Sequence, residues 1–481
     1  MGPTLSAWPP AHSRTSPARP STLPADETER RVVSDVASAD APARPAGRMS
    51  GVRAGVIVFI GIACANVGNY LFQLIAARSF GPSQYGDLAA LMAVAALITL
   101  PLGGIQAAVA REVATLEAEE RHALAAVRIR RALRLALLAG AIAAAVLMVF
   151  SGLIRQLLDV ASLPAVVMTM ALVAPAFLMP LLLGWLQGAQ RFGLLSVTLS
   201  IGPLVRIALL VVVVVAGAGV AGAIGATLVA SAAALMIPLA TLRGNVGRGI
   251  PKAAGQFDWI TGIRRSFPVI VGLLALTALS TIDVVVANIT LDGDQAGIYS
   301  SASLIARVIL YLSAAIVTVL LPKVSERSAL QLDTRAILSA SLLATAVLAS
   351  AATVVYAVFS STIVSLTVGG EYADAAPLLW VFALAMSGYA LLNVLLFNDL
   401  GRGGTGMVKL LLTGTVGQLA GYAIFHDSVW ELVTVSAVSA AVLLLVHEVL
   451  VDPSLLRAAR TSRTIVRDVG DSIRRRPTGA S

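Results

Sequence analysis

The sequence predicts an all-α integral membrane protein, with about twelve transmembrane helices in two pseudo-symmetric six-helix bundles around a central cavity. Three observations carry this. Hydrophobic residues make up 57% of the 481 residues and gather in runs of roughly 20 or more, long enough to cross a hydrocarbon core as helix. Lys and Arg are abundant in alternate connections and nearly missing from the others. A local plan recurs along the chain at an offset of 211 residues.

Charged residues are 13% of the chain, about half the roughly 25% of a soluble domain. The net charge of +9 sits in short stretches between apolar runs, which reads as orientation in the bilayer rather than nucleic-acid binding. The one cysteine, Cys64, lies inside an apolar run, so neither an intrachain disulfide nor a cysteine zinc site is possible. Residues 1–50 are rich in Pro, Ala and Ser and read as a disordered cytoplasmic tail, with Met49 standing just before the first run as an alternative start. The first run is too long for a signal peptide and reads as an uncleaved spanning helix.

The spans fall near 52–78, 88–110, 132–154, 164–186, 194–216, 219–241, 267–290, 298–321, 335–358, 376–398, 404–424 and 429–450. They group into an N-terminal bundle at 51–242 and a C-terminal bundle at 267–450, joined by a cytoplasmic linker at 243–266 and followed by a basic tail at 451–481. Connections expected inside carry clusters such as Arg128, Arg130, Arg131 and Arg134, or Arg243, Arg248 and Lys252. Those expected outside hold Asp292 and Asp294, or Glu371 and Asp374, with no Lys or Arg. Arg78 and Arg155 alone break the alternation, which places both termini in the cytoplasm. The segment Arg111 to Arg134 reads as a charged helix lying on the inner surface.

Gln84 and Gly86 match Gln295 and Gly297, and Arg191 and Gly193 match Arg402 and Gly404, all at the same offset of 211. Two pairs in equivalent loops point to a duplicated six-helix unit. Because six is even, the halves share one orientation, and two such halves can rock to expose a central site to either side in turn. Transport of an amphiphile follows. No connection expected outside gathers the His, Asp and Glu that a membrane enzyme would need, and no phosphate-binding loop or nucleophile elbow is present. No cofactor or metal is expected.

Ionisable groups inside spans are costly and mark cavities or paired sites. Arg206 and Arg307 fall near the middle of their spans, Asp283 in the outer half of its span, and Arg78 at an outer helix end. The arginines suit an anionic group such as a pyrophosphate, which guanidinium binds through paired hydrogen bonds. An Asp283–Arg307 ion pair stitching neighbouring helices is the structural alternative. Asn66, Asn69 and Gln73 share one helix face, either lining a polar cavity or bonding helices together. Pro175 and Pro180 in one span could form a gate.

The run Ala77-Arg78-Ser79-Phe80-Gly81-Pro82, then Gln84-Tyr85-Gly86, resembles the opening hairpin of Wzx-type polysaccharide flippases, within the multidrug, oligosaccharidyl-lipid and polysaccharide exporter superfamily. So do Gln187-Gly188-Ala189-Gln190-Arg191-Phe192, Gly297-Ile298-Tyr299, and Gly369-Gly370-Glu371-Tyr372 with Ala375-Ala376-Pro377-Leu378-Leu379. The resemblance implies two bundles in a V around a cavity, and flipping of polyprenyl-pyrophosphate-linked glycans across a bacterial cytoplasmic membrane. It also implies coupling to H+ or Na+, contact with membrane lipids, and other polysaccharide-assembly proteins as partners. Twelve spans depart from the fourteen of the peptidoglycan-lipid branch. A multidrug or cation antiporter is the alternative, and a membrane glycosyltransferase or ligase a third reading.

Overall fold

The computed structural model describes residues 51–244, 259–452, 454–455 and 457–458. The two expected tails and linker residues 245–258 lie outside this set, apart from the start of the C-terminal one. The described residues are helical throughout, without strands, and twelve helices are long and apolar enough to cross a membrane. The N-terminal half contains α1 (Gly51–Ser79), α2 (Pro82–Thr99), α3 (Gly103–Ala118), α4 (His122–Val149), α5 (Ser151–Leu157), α6 (Leu163–Ala171), α7 (Val173–Gly188), α8 (Phe192–Val215) and α9 (Gly219–Gly244). The C-terminal half contains α10 (Trp259–Thr290), α11 (Gly293–Ala306), α12 (Val308–Ala329), α13 (Arg335–Thr367), α14 (Leu379–Gly401), α15 (Gly406–Ile424) and α16 (Val429–Val446).

Several spans are broken, and the breaks have local causes. Pro101 lies in a 3₁₀ turn, Leu100–Leu102, where α2 gives way to α3. The span containing Pro175 and Pro180 breaks at Leu172, just before the first of them. α11 and α12 meet at Arg307, which belongs to neither. Some helix starts are fixed by side chains. Asp292 accepts from the Gln295 amide at 2.9 Å, and Ser428 accepts from the Glu431 amide at 3.3 Å.

The expected surface helix over Arg111 to Arg134 is not formed. α3 runs on to Ala118, the chain turns at Glu119–Arg121 with Glu120 at φ 57°, and α4 begins at His122. The charges therefore lie on two antiparallel helix extensions, held by Arg128–Glu112 and His122–Glu117 pairs. Opposite charges on facing helices satisfy each other without a third, membrane-parallel element.

The internal repeat has a geometric counterpart. α1 ends at Ser79 and α10 at Thr290; α2 begins at Pro82 and α11 at Gly293; both steps are 211 residues. The break at Phe150 between α4 and α5 has its partner in a kink at Phe359 inside α13. The second sequence match is looser. The left-handed residue of the turn is Gln190, before Arg191, in one half, but Gly403, after Arg402, in the other. The second turn is longer, so Arg191 and Arg402 occupy equivalent turns but different positions in them.

The chain reverses at two faces, one carrying the arginine-rich turns (the basic face) and one carrying Asp159, Asp292, Glu371 and Asp427 (the acidic face). One continuous apolar core joins the halves, taking in Phe72, Tyr85 and Leu91 with Leu279, Tyr299 and Phe382. The basic end of the N-terminal half packs on a core of its own, around Val113, Ile129, Leu182 and Trp185.

On the acidic face the halves are also tied by polar contacts. The Tyr372 hydroxyl donates to the carbonyls of Ala77 and Phe80, at 2.8 and 3.0 Å, and its ring meets Tyr85 edge-on. Arg78 donates to the Leu366 carbonyl at 2.9 Å, and Asn288 donates to the Leu158 carbonyl at 2.7 Å. Arg155 lines a polar pocket at the same seam with Asp87, Asp159 and Asn288. The two arginines that break the charge alternation thus both sit where the halves meet. Tyr372→Phe removes the shared hydroxyl bond, whose net value is about 1 kcal/mol, or roughly a fivefold shift in population toward an open seam. In a Cys64→Ala background, Leu291→Cys, at a position 8% exposed in the seam pocket, should label faster with an impermeant maleimide once Tyr372 is Phe. Identical labelling rates would mean that the hydroxyl does not hold the seam.

Candidate functional site

Arg206 stands near the middle of α8, and its position follows from how closely α1 approaches. Gly68 faces Pro203, where a Cβ would lie 2.7 Å from the proline Cβ. Ser196 adds a hydrogen bond to the Ile57 carbonyl at 2.9 Å. With α1 drawn in, the Arg206 guanidinium lies over the Phe72 ring, 3.5 Å from its centroid. One terminal nitrogen donates to the Asn69 amide oxygen at 3.3 Å and the other contacts the Met92 sulfur at 3.0 Å. Nε is buried and has no hydrogen-bond acceptor.

The same side chain lines a cavity of about 250 Å³ with Asn69, Thr198, Thr227, Ser231 and Pro203, walled by α1, α7, α8 and α9. All of these come from the N-terminal half. Among the described residues no carboxylate lies within salt-bridge distance of Arg206. Its charge is met only by an amide, a thioether and a π face, a set that leaves it able to bind an anion. The Thr198 hydroxyl is buried without a partner and is the one hydroxyl donor left to the wall, since Thr227 and Ser231 donate to the carbonyls of Ala223 and Thr227 on their own helix.

The other predicted residues divide into separate places. Of the three amides that share a face of α1, Asn69 alone meets Arg206. Asn66 is exposed and Gln73 half-buried, and neither makes a hydrogen bond among the described residues. Arg78 is at the acidic seam, away from the cavity.

Asp283 and Arg307 come together inside the C-terminal half. Asp283 is 1% exposed, and its Oδ1 lies 3.8 Å from an Arg307 terminal nitrogen, too far for a hydrogen bond. Its Oδ2 accepts from the Tyr299 hydroxyl at 3.2 Å. Nε and the facing terminal nitrogen of Arg307 lack acceptors. Arg307 is the residue at which α11 and α12 part, so the pair rests on an interrupted span. The pair expected as a structural alternative is therefore present, with a loose geometry that leaves both partners under-satisfied.

Sequence reasoning did not assign two groups that the structure brings forward. Tyr372 lies in the Gly-Gly-Glu-Tyr motif, but its reach to α1 is a long-range contact. Gln418 is a buried hub whose amide nitrogen contacts the Leu279 carbonyl and the hydroxyls of Tyr389 and Tyr422 at 3.1, 3.1 and 2.7 Å.

Comparison with known proteins places this architecture. The structure resembles that of the lipid II flippase MurJ in an inward closed conformation, with TM-score 0.65 and 14% identity over 89% of this chain and 94% of that one. It resembles equally an inward-facing multidrug resistance MATE family transporter of the MOP superfamily, at TM-score 0.65 and 16% identity over 85% and 99% of the two chains. A third likeness, at TM-score 0.54 and 18% identity over 85% and 95%, is to a MOP superfamily transporter from Pyrococcus furiosus Vc1, described as having a binding pocket of reverse polarity that suggests a different function. At these identities the likeness shows the shared fold. No curated protein matches the chain in sequence. The model of a family described as polysaccharide biosynthesis protein matches residues 52–328, more than half of the chain, and the protein belongs to that family.

Proposed function

We propose that this protein is a flippase that carries a polyprenyl-pyrophosphate-linked oligosaccharide, or a related anionic glycolipid, across the cytoplasmic membrane by alternating access, with both termini in the cytoplasm. The observation that carries this reading is Arg206, a mid-span guanidinium on a cavity wall with no carboxylate among the described residues to neutralise it. A cation left uncompensated in lipid is expensive, and an anionic cargo offsets that cost only while bound. The same charge disfavours a drug or cation antiporter, which would favour an acidic cavity. Family membership and the shared transporter fold support transport in polysaccharide assembly. The decisive test is flipping of a defined lipid-linked oligosaccharide by the purified full-length chain in proteoliposomes. Absence of flipping alongside efflux of cationic drugs would favour the antiporter instead.

The coupling ion, H+ or Na+, acts at Asp283 in this reading. Its loose pairing with Arg307 leaves one carboxylate oxygen free to take a proton or a cation. Asp283→Asn is expected to retain downhill exchange while losing the stimulation by an imposed ion gradient, measured in the same vesicles. Full gradient stimulation in that variant would remove Asp283 from coupling.

A further inference from the structure

A second arginine site lies at the basic face, on the outside of the N-terminal half. α4 and the end of α9 enclose a pocket of about 530 Å³ lined by Arg130, Leu133, Arg134, Leu239 and Leu242. Arg130 donates to the Leu242 carbonyl at 2.7 Å, a cation placed on the C-terminal carbonyls of α9. Arg134 follows one turn further into the span on the same helix face. It is exposed and has no hydrogen-bond or ion-pair partner among the described residues. Four and eight residues beyond it on α4, Leu138 and Ile142 are 60% and 56% exposed, continuing the stripe toward the bilayer centre. The arrangement is that of an amphiphile's complement: guanidinium groups beside an aliphatic floor of Leu133, Leu239 and Leu242, then an exposed apolar stripe.

We propose that this pocket holds the phosphate headgroup of a resident anionic phospholipid, with its acyl chain along the Leu138–Ile142 stripe. Phosphate supplies the acceptor that Arg134 lacks, and basic pockets between spans at this face take such headgroups. A neutral, zwitterionic lipid brings a cationic group against the same arginines and is the poorer fit. The transported lipid's own pyrophosphate shares the chemistry, so the test separates the two.

The experiment is native mass spectrometry of the full-length chain in detergent, after delipidation and addition of phosphatidylglycerol, phosphatidylcholine or a polyprenyl pyrophosphate. Wild type should retain phosphatidylglycerol in preference to phosphatidylcholine. Arg134→Gln should lower that retention roughly tenfold, the loss of a charge-assisted hydrogen bond. Arg131→Gln removes the same charge from a neighbouring position outside the pocket and should leave retention unchanged. Leu239→Trp narrows the apolar floor of the pocket with both arginines intact and should lower retention even if Arg134→Gln cannot be purified. The proposal is overturned if Arg134→Gln and Arg131→Gln behave alike, if phosphatidylcholine is held as well as phosphatidylglycerol, or if only the polyprenyl pyrophosphate depends on Arg134.

Discussion

Arg206→Ala is expected to slow flipping of a polyprenyl-pyrophosphate-linked oligosaccharide by roughly ten- to a hundredfold while the protein stays folded. A hydrogen bond to a charged group is worth about 1.5–3 kcal/mol, and that is the range lost when the cavity no longer offers a guanidinium to the cargo. Stability should not fall with it. Arg206 makes no ion pair among the described residues, and its Nε is buried without an acceptor, so alanine removes an unsatisfied group as well as the contact with Phe72. Arg206→Lys keeps the charge but not the planar pair of donors, and should fall between the two rates. Thermal stability in detergent separates the outcomes. Wild-type flipping by a stable Arg206→Ala protein would remove this cavity from the transport route, whereas loss of the fold would make the residue structural.

Much of the architecture was legible because lipid leaves the chain few options. Buried backbone must bond within its own helix, so each long apolar run became a span, and the alternation of arginine fixed their number. The exceptions were informative: Arg78 and Arg155 violate the charge rule because they sit at the acidic seam, where protein contacts replace lipid. The duplicated Gln-x-Gly was also readable, since a fixed offset needs no structure to be seen. What could not be read were contacts between distant segments. Nothing local to Tyr372 indicates that its hydroxyl reaches Ala77, and nothing local to Arg206 indicates that four helices of one half enclose it. The break at Arg307 has no proline or glycine beside it and so left no mark in the sequence. The misread stretch from Arg111 to Arg134 failed for a related reason. Its charge pattern suits a surface helix and a helical hairpin equally, and only the pairing of Glu112 with Arg128 across the turn decides between them.

Gly297→Ala is expected to be among the most damaging single methyl additions in this chain, while Gly86→Ala, its partner in the repeat, should cost little. These two glycines are where α2 and α11 cross, at the point that the duplicated motif brings together from both halves. A Cβ at Gly297 would overlap the Pro82 carbonyl, a backbone group in the first turn of α2 that cannot rotate away. A Cβ at Gly86 would lie 3.1 Å from the Gly297 nitrogen and 3.2 Å from the Asn288 side-chain oxygen, contacts that a few tenths of an ångström relieve. Overpacking at a rigid site costs about 1–3 kcal/mol or more, and here the strain falls on the joint between halves rather than inside either. Gly297→Ala should therefore lower the melting temperature in detergent and raise labelling of the buried seam position Leu291→Cys by prising the acidic seam apart. Gly86→Ala should stay near wild type in both measurements. Equal effects from the two variants would mean that the crossing is symmetric, and that the closer approach at Gly297 is not what holds the halves together.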